Sequence, residues 1–475
     1  MSRIWSMMDV GKRSMMNSQT ALQTVSHNVA NKNVDGYSRQ RVEVQSAEPT
    51  GYGKLRVGNG AKINAITRVN NSYLEKQVER EGNILGNKDS KSQMLTRVEQ
   101  VFNEQMNKGL NKFMGEFFNA YREMSNSPEN LSLRSLVKES ADFMTKDFQR
   151  INTQLTKIQG EADFEITAEV SQINALTREV SQLNDKIQSI EIHDRVANDE
   201  RDRRDHLIKQ LSEKANIRYG ESSDGIMTIT LGTTAVLVSG SQQRDLFVSA
   251  SATREGKREG NVDVFYKPSD TSTAVNLTQQ ITGGRLGGLI DVRDKFINKT
   301  LTDLDDLAYT MADKINEAHR QGFDRYNNKG QNLFDVDSGR SGAASSIRVS
   351  DRVQQNAGFI VAAAQPNSPA DNRMANVISS MQYQRILADG ESTFDDFYSN
   401  IVGNVGISAN RANSELDSQK GIVDQLKNIR ESISGVSLDE ETAKMIEYQK
   451  SFDASARLIR TADEMMDTVL NLKPM

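Results

Sequence analysis

Hydrophobic residues recur at heptad spacing at both ends of this chain. Near its end, Leu438, Met445, Phe452, Ile459 and Met466 stand seven residues apart, and Tyr448, Ser455, Ala462 and Val469 follow the later four by three. No Gly or Pro interrupts the stretch before Pro474. That pattern predicts a helix from about Leu438 to Leu472, on the order of 50 Å long, with an a/d seam along one side. At the other end, Ile4, Met8, Gly11, Met15, Ser18, Leu22, Val25 and Val29 alternate in steps of four and three. They predict a second heptad helix from Ser2 to about Lys32. A single stripe of this kind fits packing on its own domain equally well. Matching seams at both ends favour pairing of the two termini.

Between them the pattern changes several times. Asp35-Gly36 signals a turn after a helix, with Gly36 suited to a left-handed position. Arg41 to Gln45 alternates like a strand, and Gly51, Gly53, Gly58 and Gly60 punctuate a β-rich excursion to about Ile66. From Ser72 to about Lys214 the chain reads as helical. Met94, Val98, Val101 and Phe102 mark one segment, and Phe113, Phe117, Phe118 and Tyr121 mark a second with a dense aromatic face. Pro128 breaks the run before a long helix begins near Leu131. Within it Ile173, Leu176, Val180, Leu183, Ile187 and Ile190 keep helical spacing and read as core or helix–helix seam. Charges of alternating sign from Asn198 to Glu213 read as a solvated helix face.

From Asn216 to Thr282, β-branched runs predict a small inserted β domain: Ile226–Leu231, Ala235–Val238, Asp245–Val248 and Val262–Tyr266. Gly283 to Asp294 is read as a flexible re-entry into helix, its glycines permitting close backbone approach. It lacks the Gly-Lys-Ser/Thr ending of a phosphate loop. Asp324 to Asp335 has a faint calcium-loop look, but its Gly falls one place late and its twelfth residue is Asp, so it is read as a turn. Residues 338–373 are irregular, with Pro366 and Pro369. Helical spacing resumes at Met374, Val377, Ile378 and Met381, breaks near Asp389-Gly390, and continues from Phe394 to about Ile433. Ser437 and Glu440 stand at capping-box spacing before the closing helix.

Composition supports long solvated helices with modest cores. The 475 residues include 36% hydrophobic and 26% charged side chains and only 6 prolines, and mean hydropathy is -0.60. A net charge of -5 gives no reason to expect nucleic acid or an anionic membrane as partner. Absence of cysteine removes disulfides, thiolate catalysis and Cys-ligated metal. Asp9, Lys12 and Arg13 interrupt any signal-like apolar run, and the longest apolar run, Phe359 to Ala364, is far short of a membrane span. His27, His193, His206 and His319 are scattered singly, and no nucleophile elbow or HExxH occurs. No catalytic, cofactor or metal residue is assigned.

The turn Ala30-Asn31 with Asn33 and Gly36-Tyr37-Ser38-Arg39-Gln40 resembles the signature shared by rod, hook and hook-associated proteins of the bacterial flagellum. The ending Gly435 to Glu441, Tyr448-Gln449, Ser455-Ala456-Arg457, Thr461-Ala462-Asp463-Glu464-Met465 and Leu470-Asn471-Leu472 is similar to that of the hook-associated protein 1 (FlgK) family almost block for block. Arg204-Asp205, Leu207 and Leu211-Ser212 resemble a helix of that family, and the stretch from Gly283 through His319-Arg320-Gln321-Gly322-Phe323-Asp324 resembles its return into the helical domain. The resemblance covers most of the chain, more loosely in the β region and over 338–373. About 65 inserted residues leave no room for a separate outermost domain.

The resemblance implies a mainly α, elongated, multidomain axial protein with a β insert. The expected division is a terminal coiled-coil assembly domain (1–35 plus 437–475), an elongated helical-bundle domain (36–215 plus 285–436) and the β domain (216–284). The implied function is structural: joining hook to filament by self-assembly through the terminal helices, outside the cell, after type III export without a cleaved signal. Implied partners are the hook protein, the second junction protein, further copies in a ring or tubular lattice, and a cytosolic export chaperone on the C-terminal helix. Nucleic acid and membrane insertion are not expected. The expected assembly seam is Ile4, Met8, Met15, Leu22, Val25, Val29, Leu438, Met445, Tyr448, Phe452, Ile459, Ala462, Met466 and Val469. Its helices are expected to be mobile in the free monomer, and Ser455 and Ala462 to allow close helix approach. A flagellin-like filament subunit and a flagellum-borne hydrolase are the alternatives.

Overall fold

Helices dominate, and one of 61 residues is far longer than the rest. The computed structural model describes residues 2–52, 55–102, 109–192, 195–222, 224–250, 261–269, 271–337 and 339–471. Leu472, Gly53, His193 and Pro474, named above, lie outside them. The chain opens with α1 (Ser2–Ala30), then β1 (Gln40–Ser46), β2 (Thr50–Tyr52), β3 (Leu55–Val57) and β4 (Ala61–Arg68). Helices α2 (Ser72–Val101), α3 (Leu110–Asn126), α4 (Leu131–Glu191) and α5 (Asn198–Lys214) follow. The 61 residues of α4 span about 90 Å. The β region holds β5 (Ile217–Glu221), β6 (Met227–Leu231), β7 (Ala235–Ser239), β8 (Gln242–Gln243), β9 (Leu246–Ala250), β10 (Val262–Tyr266) and β11 (Val275–Asn276).

The return path starts with α6 (Gly284–Asp291), passes through a π-helical turn at Val292–Ile297, and continues as α7 (Asn298–Gln321). Then come β12 (Phe334–Asp335), α8 (Ala343–Ser346), β13 (Arg348–Val349), α9 (Asp351–Gln355), α10 (Arg373–Ser380), α11 (Phe394–Ser434) and α12 (Leu438–Asn471). The irregular segment is nonetheless packed over its described part, 339–373: Ile360, Val361 and Ala362 have no exposed surface.

One apolar cluster runs through this body, from Met94 to Ala412. The aromatic face of α3 forms part of it. Phe117 meets Tyr121 at 5.2 Å and Phe334 at 5.7 Å between ring centroids, and Phe118 stacks on Phe394. Each fully buried Phe is worth roughly 2–3 kcal/mol of burial.

The stripe on the later half of α4 packs against sheet as well as against helix α5. Ile173, Val180 and Ile187 are fully buried. Between them Asn184 donates to Met227 O and Gly240 O, and Asn174 exchanges two bonds with the backbone of Leu246. The antiparallel sheets β5-β6-β7-β8 and β11-β10-β9 therefore ride on α4, and their buried residues join the same apolar cluster. Arg293, carried inward by the π-helical turn, pairs with Asp163 at 2.5 Å and donates to Val262 O. It pins the β region to two helices at once.

Glycines at the return path serve close contact. Gly284 has φ +65°, and a Cβ there would lie 2.3 Å from the carbonyl carbon of Lys214; at Gly288 it would lie 2.1 Å from Ser90 Oγ. Helix α6 thereby sits directly against α2.

Two local expectations are corrected. Helix α5 is not a solvated face: Asn198, Asp202, Arg204, Leu207, Ile208, Leu211 and Ser212 are buried. Its charges find partners on neighbouring elements, as Arg204 does with Glu221 at 2.6 Å and Arg201 with Glu191 at 2.7 Å. Glu440 does not close a capping box; its carboxylate is taken by Arg39 at 2.5 Å.

Candidate assembly surface

Helices α1 and α12 lie against each other, antiparallel. Ser18 meets Ser451 at 3.2 Å, the hydroxyls of Ser14 and Ser455 pair at 2.7 Å, and Asn28 donates to Glu441 at 2.9 Å. A Cβ on Gly11 would come within 2.8 Å of Ile459. The line of closest approach is made mainly by small residues such as Gly11, Ser18, Ser455 and Ala462. Gly11, Ser18, Ala21 and Val25 are buried on α1, and Glu441, Ser455 and Ala462 are the buried residues of α12.

The large seam residues flank that line and keep part of their surface. Val25 is buried and Ala462 fully so, whereas Ile4, Met8, Met15, Leu22, Val29, Met445, Tyr448, Phe452, Ile459 and Met466 are half-buried. Leu438 and Val469 are exposed, as are Trp5, Met16, Ile446, Met465 and Leu470. A two-helix contact covers one side of each helix only. Of the family-motif positions on α12, Ala456 is half-buried and Arg457, Asp463 and Glu464 are exposed.

The motif turn after α1 ties this pair to the body. Gly36 takes φ +82°, and a Cβ there would stand 2.9 Å from the His206 side chain, so any other residue is strained. Tyr37 and Ser38 are buried; Asn31, Arg39 and Gln40 are half-buried. At the centre lies Asn28, which uses its whole bonding capacity. Its Nδ2 donates to Gln40 O and Glu441, and its Oδ1 accepts from the Tyr37 hydroxyl and the Gln40 amide. Burial, reinforced by Asp199 and Asp202, raises the Tyr37 phenol well above its ordinary value and keeps it a neutral donor.

One edge of α5 receives the turn. Asp199 meets His27 and Gln40, Asp202 accepts from the Ser38 amide, and Arg68 at the end of β4 bridges Asp202 and Asp205 at 2.8 Å each. Burial pushes the Asp202 carboxyl up, and Arg68 opposes that shift. On the other side Arg39 N donates to Ser434 O and Arg430 to Tyr37 O. A polar cavity of about 360 Å³ lies at this joint, lined by Gly36, Asp202, His206 and Arg430 among others. Among the described residues, neither α1, α12 nor β1 to β4 contributes to the main apolar cluster.

Sequence reasoning missed Asn28, Arg68, Asp199 and Asp202, and gave Glu441 no role beyond its place in the Gly435 to Glu441 block. Each is a single polar residue in a helix or strand end and breaks no periodicity. The one available signal was the spacing of Asp202 and Asp205, three apart on a helix. Among the described residues no group of three or more His, Asp or Glu side chains is arranged to hold a metal, and no helix is long and apolar enough to cross a membrane.

Comparison with known proteins places these features in context. The family model described as "Flagellar hook-associated protein FlgK helical domain" matches residues 95–334, half of the chain. A second, "Flagellar basal body rod FlgEFG protein C-terminal", matches residues 431–472. The chain is 29% identical to flagellar hook-associated protein 1 of Bacillus subtilis over 499 residues, covering 98% of this chain and 97% of the relative. It is 22% identical to the proteins of that name from Salmonella typhimurium and Escherichia coli, covering 96% of this chain and 97% of each relative. The solved structure of the flagellar hook junction protein FlgK from Burkholderia pseudomallei superposes with TM-score 0.68 at 14% identity, covering 75% of this chain and all of that one. At that identity the likeness speaks for fold alone.

Proposed function

Because this chain belongs to the family of flagellar hook-associated protein FlgK, we propose that it is a structural component of the bacterial flagellum that joins hook to filament. The observation carrying the mechanism is the half-buried seam of α1 and α12. Their large apolar residues stay partly in water after the helices have paired, so neighbouring copies in a ring or tubular lattice would complete the burial. The exposed Arg457, Asp463 and Glu464 on α12 would set which neighbour is accepted.

The terminal seam, Ile4 to Val29 with Leu438 to Val469, is thus the assembly site, and the body bounded by α2 and α11 a rigid spacer. Partners on this reading are the hook protein below, the second junction protein above, and a cytosolic chaperone that covers α12 before type III export. The free monomer holds its terminal helices loosely, because each lacks half its partners. The role asks for no catalysis, and a peptidoglycan-cleavage assay on the purified chain is expected to be blank.

A chain lacking residues 1–32 is expected to keep its helical circular-dichroism signal and fail to join hook to filament. Normal joining by that truncation contradicts the reading. Labelling intact flagella is expected to mark the hook–filament boundary only; label along the filament would favour a flagellin-like subunit.

A further inference from the structure

Arg134 stands in the first turn of α4 with its side chain almost wholly buried, at 3% exposure. Its Nε donates to Pro128 O at 2.9 Å and one Nη donates to Ile360 O. Its other Nη has no protein partner, and no carboxylate lies within ion-pair distance, among the described residues. The buried Tyr121 hydroxyl beside it is also unpartnered. Burial lowers the Arg134 pKa, and the nearby charge of Arg325 lowers it further. An uncompensated buried cation is expensive unless something arrives to pair with it.

The guanidinium lines a cavity of about 490 Å³ together with Arg325, Glu129, Tyr326, Asn367 and Pro369. Two loops make its rim, and each holds a non-glycine residue in the left-handed region, Asn327 at φ 71° and Asn367 at φ 58°. The two are locked together: the Asn367 amide donates to Asn327 Oδ1, and the Asn327 side chain donates back. Asp324, the nearest carboxylate, is occupied within its own turn by the amides of Tyr326 and Asn328. Backbone strain held by its surroundings is a mark of ligand clamps.

We propose that this cavity binds a carboxylate, gripped by the free edge of Arg134 and by Arg325. Arg presents a planar fork that matches a carboxylate. Glu129 and Asp324 at the same cavity repel a dianionic phosphate more than a singly charged group. The carboxylate comes either from a small acid in solution or from an Asp or Glu side chain of a neighbouring subunit.

The test has two arms on the full-length chain. In the first, sodium glutarate is titrated calorimetrically at constant ionic strength. Saturable binding is expected, weakened at least tenfold by Arg325→Gln, an exposed position, and unchanged by Arg411→Gln on the outer face of α11. Arg134→Lys, which keeps charge but loses the fork, is expected to weaken binding without unfolding the chain. In the second arm, hydrogen exchange of 323–328 and 363–369 is compared between free chain and isolated flagella. Protection gained on assembly and lost in Arg325→Gln identifies a neighbour's side chain as the source. Glutarate binding without such protection identifies a small acid. Only the second arm rests on the assembly reading. Glutarate binding indifferent to Arg325→Gln, or no binding together with no Arg325-dependent protection, overturns the proposal.

Discussion

The body and the terminal pair are held together by different physics. In the body, side chains such as Phe117, Leu304 and Met311 have no exposed surface and belong to one apolar cluster. The terminal pair contributes nothing to that cluster and is attached through Asn28, Tyr37, Asp202, Arg68 and Arg430. Apolar burial is strong and non-directional, and it makes a rigid spacer. Hydrogen bonds and ion pairs contribute less each but fix direction. The contrast fits the proposal that the middle is finished within one chain and the ends by neighbours. The polar joint aims the pair while leaving its apolar flanks free.

The largest effect should come from the body. Phe117→Ala is expected to cost ~3–5 kcal/mol in denaturant unfolding and to lower the whole transition. If instead it loosened only α1 and α12, the two regions would be one cooperative unit and the comparison would fail.

Acid should also strike the body first. Burial lowers the His319 pKa to about 4, with Nδ1 donating to Gln331 O and Nε2 accepting from the Val361 amide. Between pH 6.5 and about 4 the unfolded chain binds the extra proton and the folded chain does not. Stability present above the unfolded value is therefore lost as pH falls through that window, by up to ~3 kcal/mol. His319→Gln should flatten the midpoint-against-pH curve there, and an unchanged curve would remove His319 from the account.

At the joint, Asn28→Leu severs four hydrogen bonds and leaves Glu441 buried without its amide donor. A loss of ~2–3 kcal/mol in the docking of α1 and α12 is expected, with the body's unfolding midpoint unmoved. Hydrogen exchange resolved by segment reads the difference. Gly36→Ala should act in the same place but more weakly, ~1–2 kcal/mol, through backbone strain and the His206 contact. A matching loss of protection in α3 would show that the joint is not separable.

Legibility in the sequence follows the same division. Repeating apolar spacing announced α1, α12, the aromatic face of α3 and the stripe of α4, because a buried face imposes a period. Gly36 and Gly284 were visible as glycines where the chain must turn or approach closely. That the stripe of Ile173, Val180 and Ile187 meets sheet as well as helix could not be read, since both partners ask for the same stripe. Nor could the joint be read. Asn28, Asp202 and Glu441 look like ordinary polar residues until the fold brings three distant segments together. For α5 the alternating signs misled: Arg204 is buried and Arg201 half-buried in ion pairs to neighbours, while Arg203 pairs at the surface.

A single chain leaves the seam of α1 and α12 half-buried, and on the proposed function other copies complete it. Segment-resolved hydrogen exchange on the free chain and on isolated flagella tests it directly. Protection around Met8, Leu22, Met445 and Ile459 should rise at least tenfold on assembly, while α3 and α7 stay as they were. Equal protection of α1 and α12 in both states would contradict the claim.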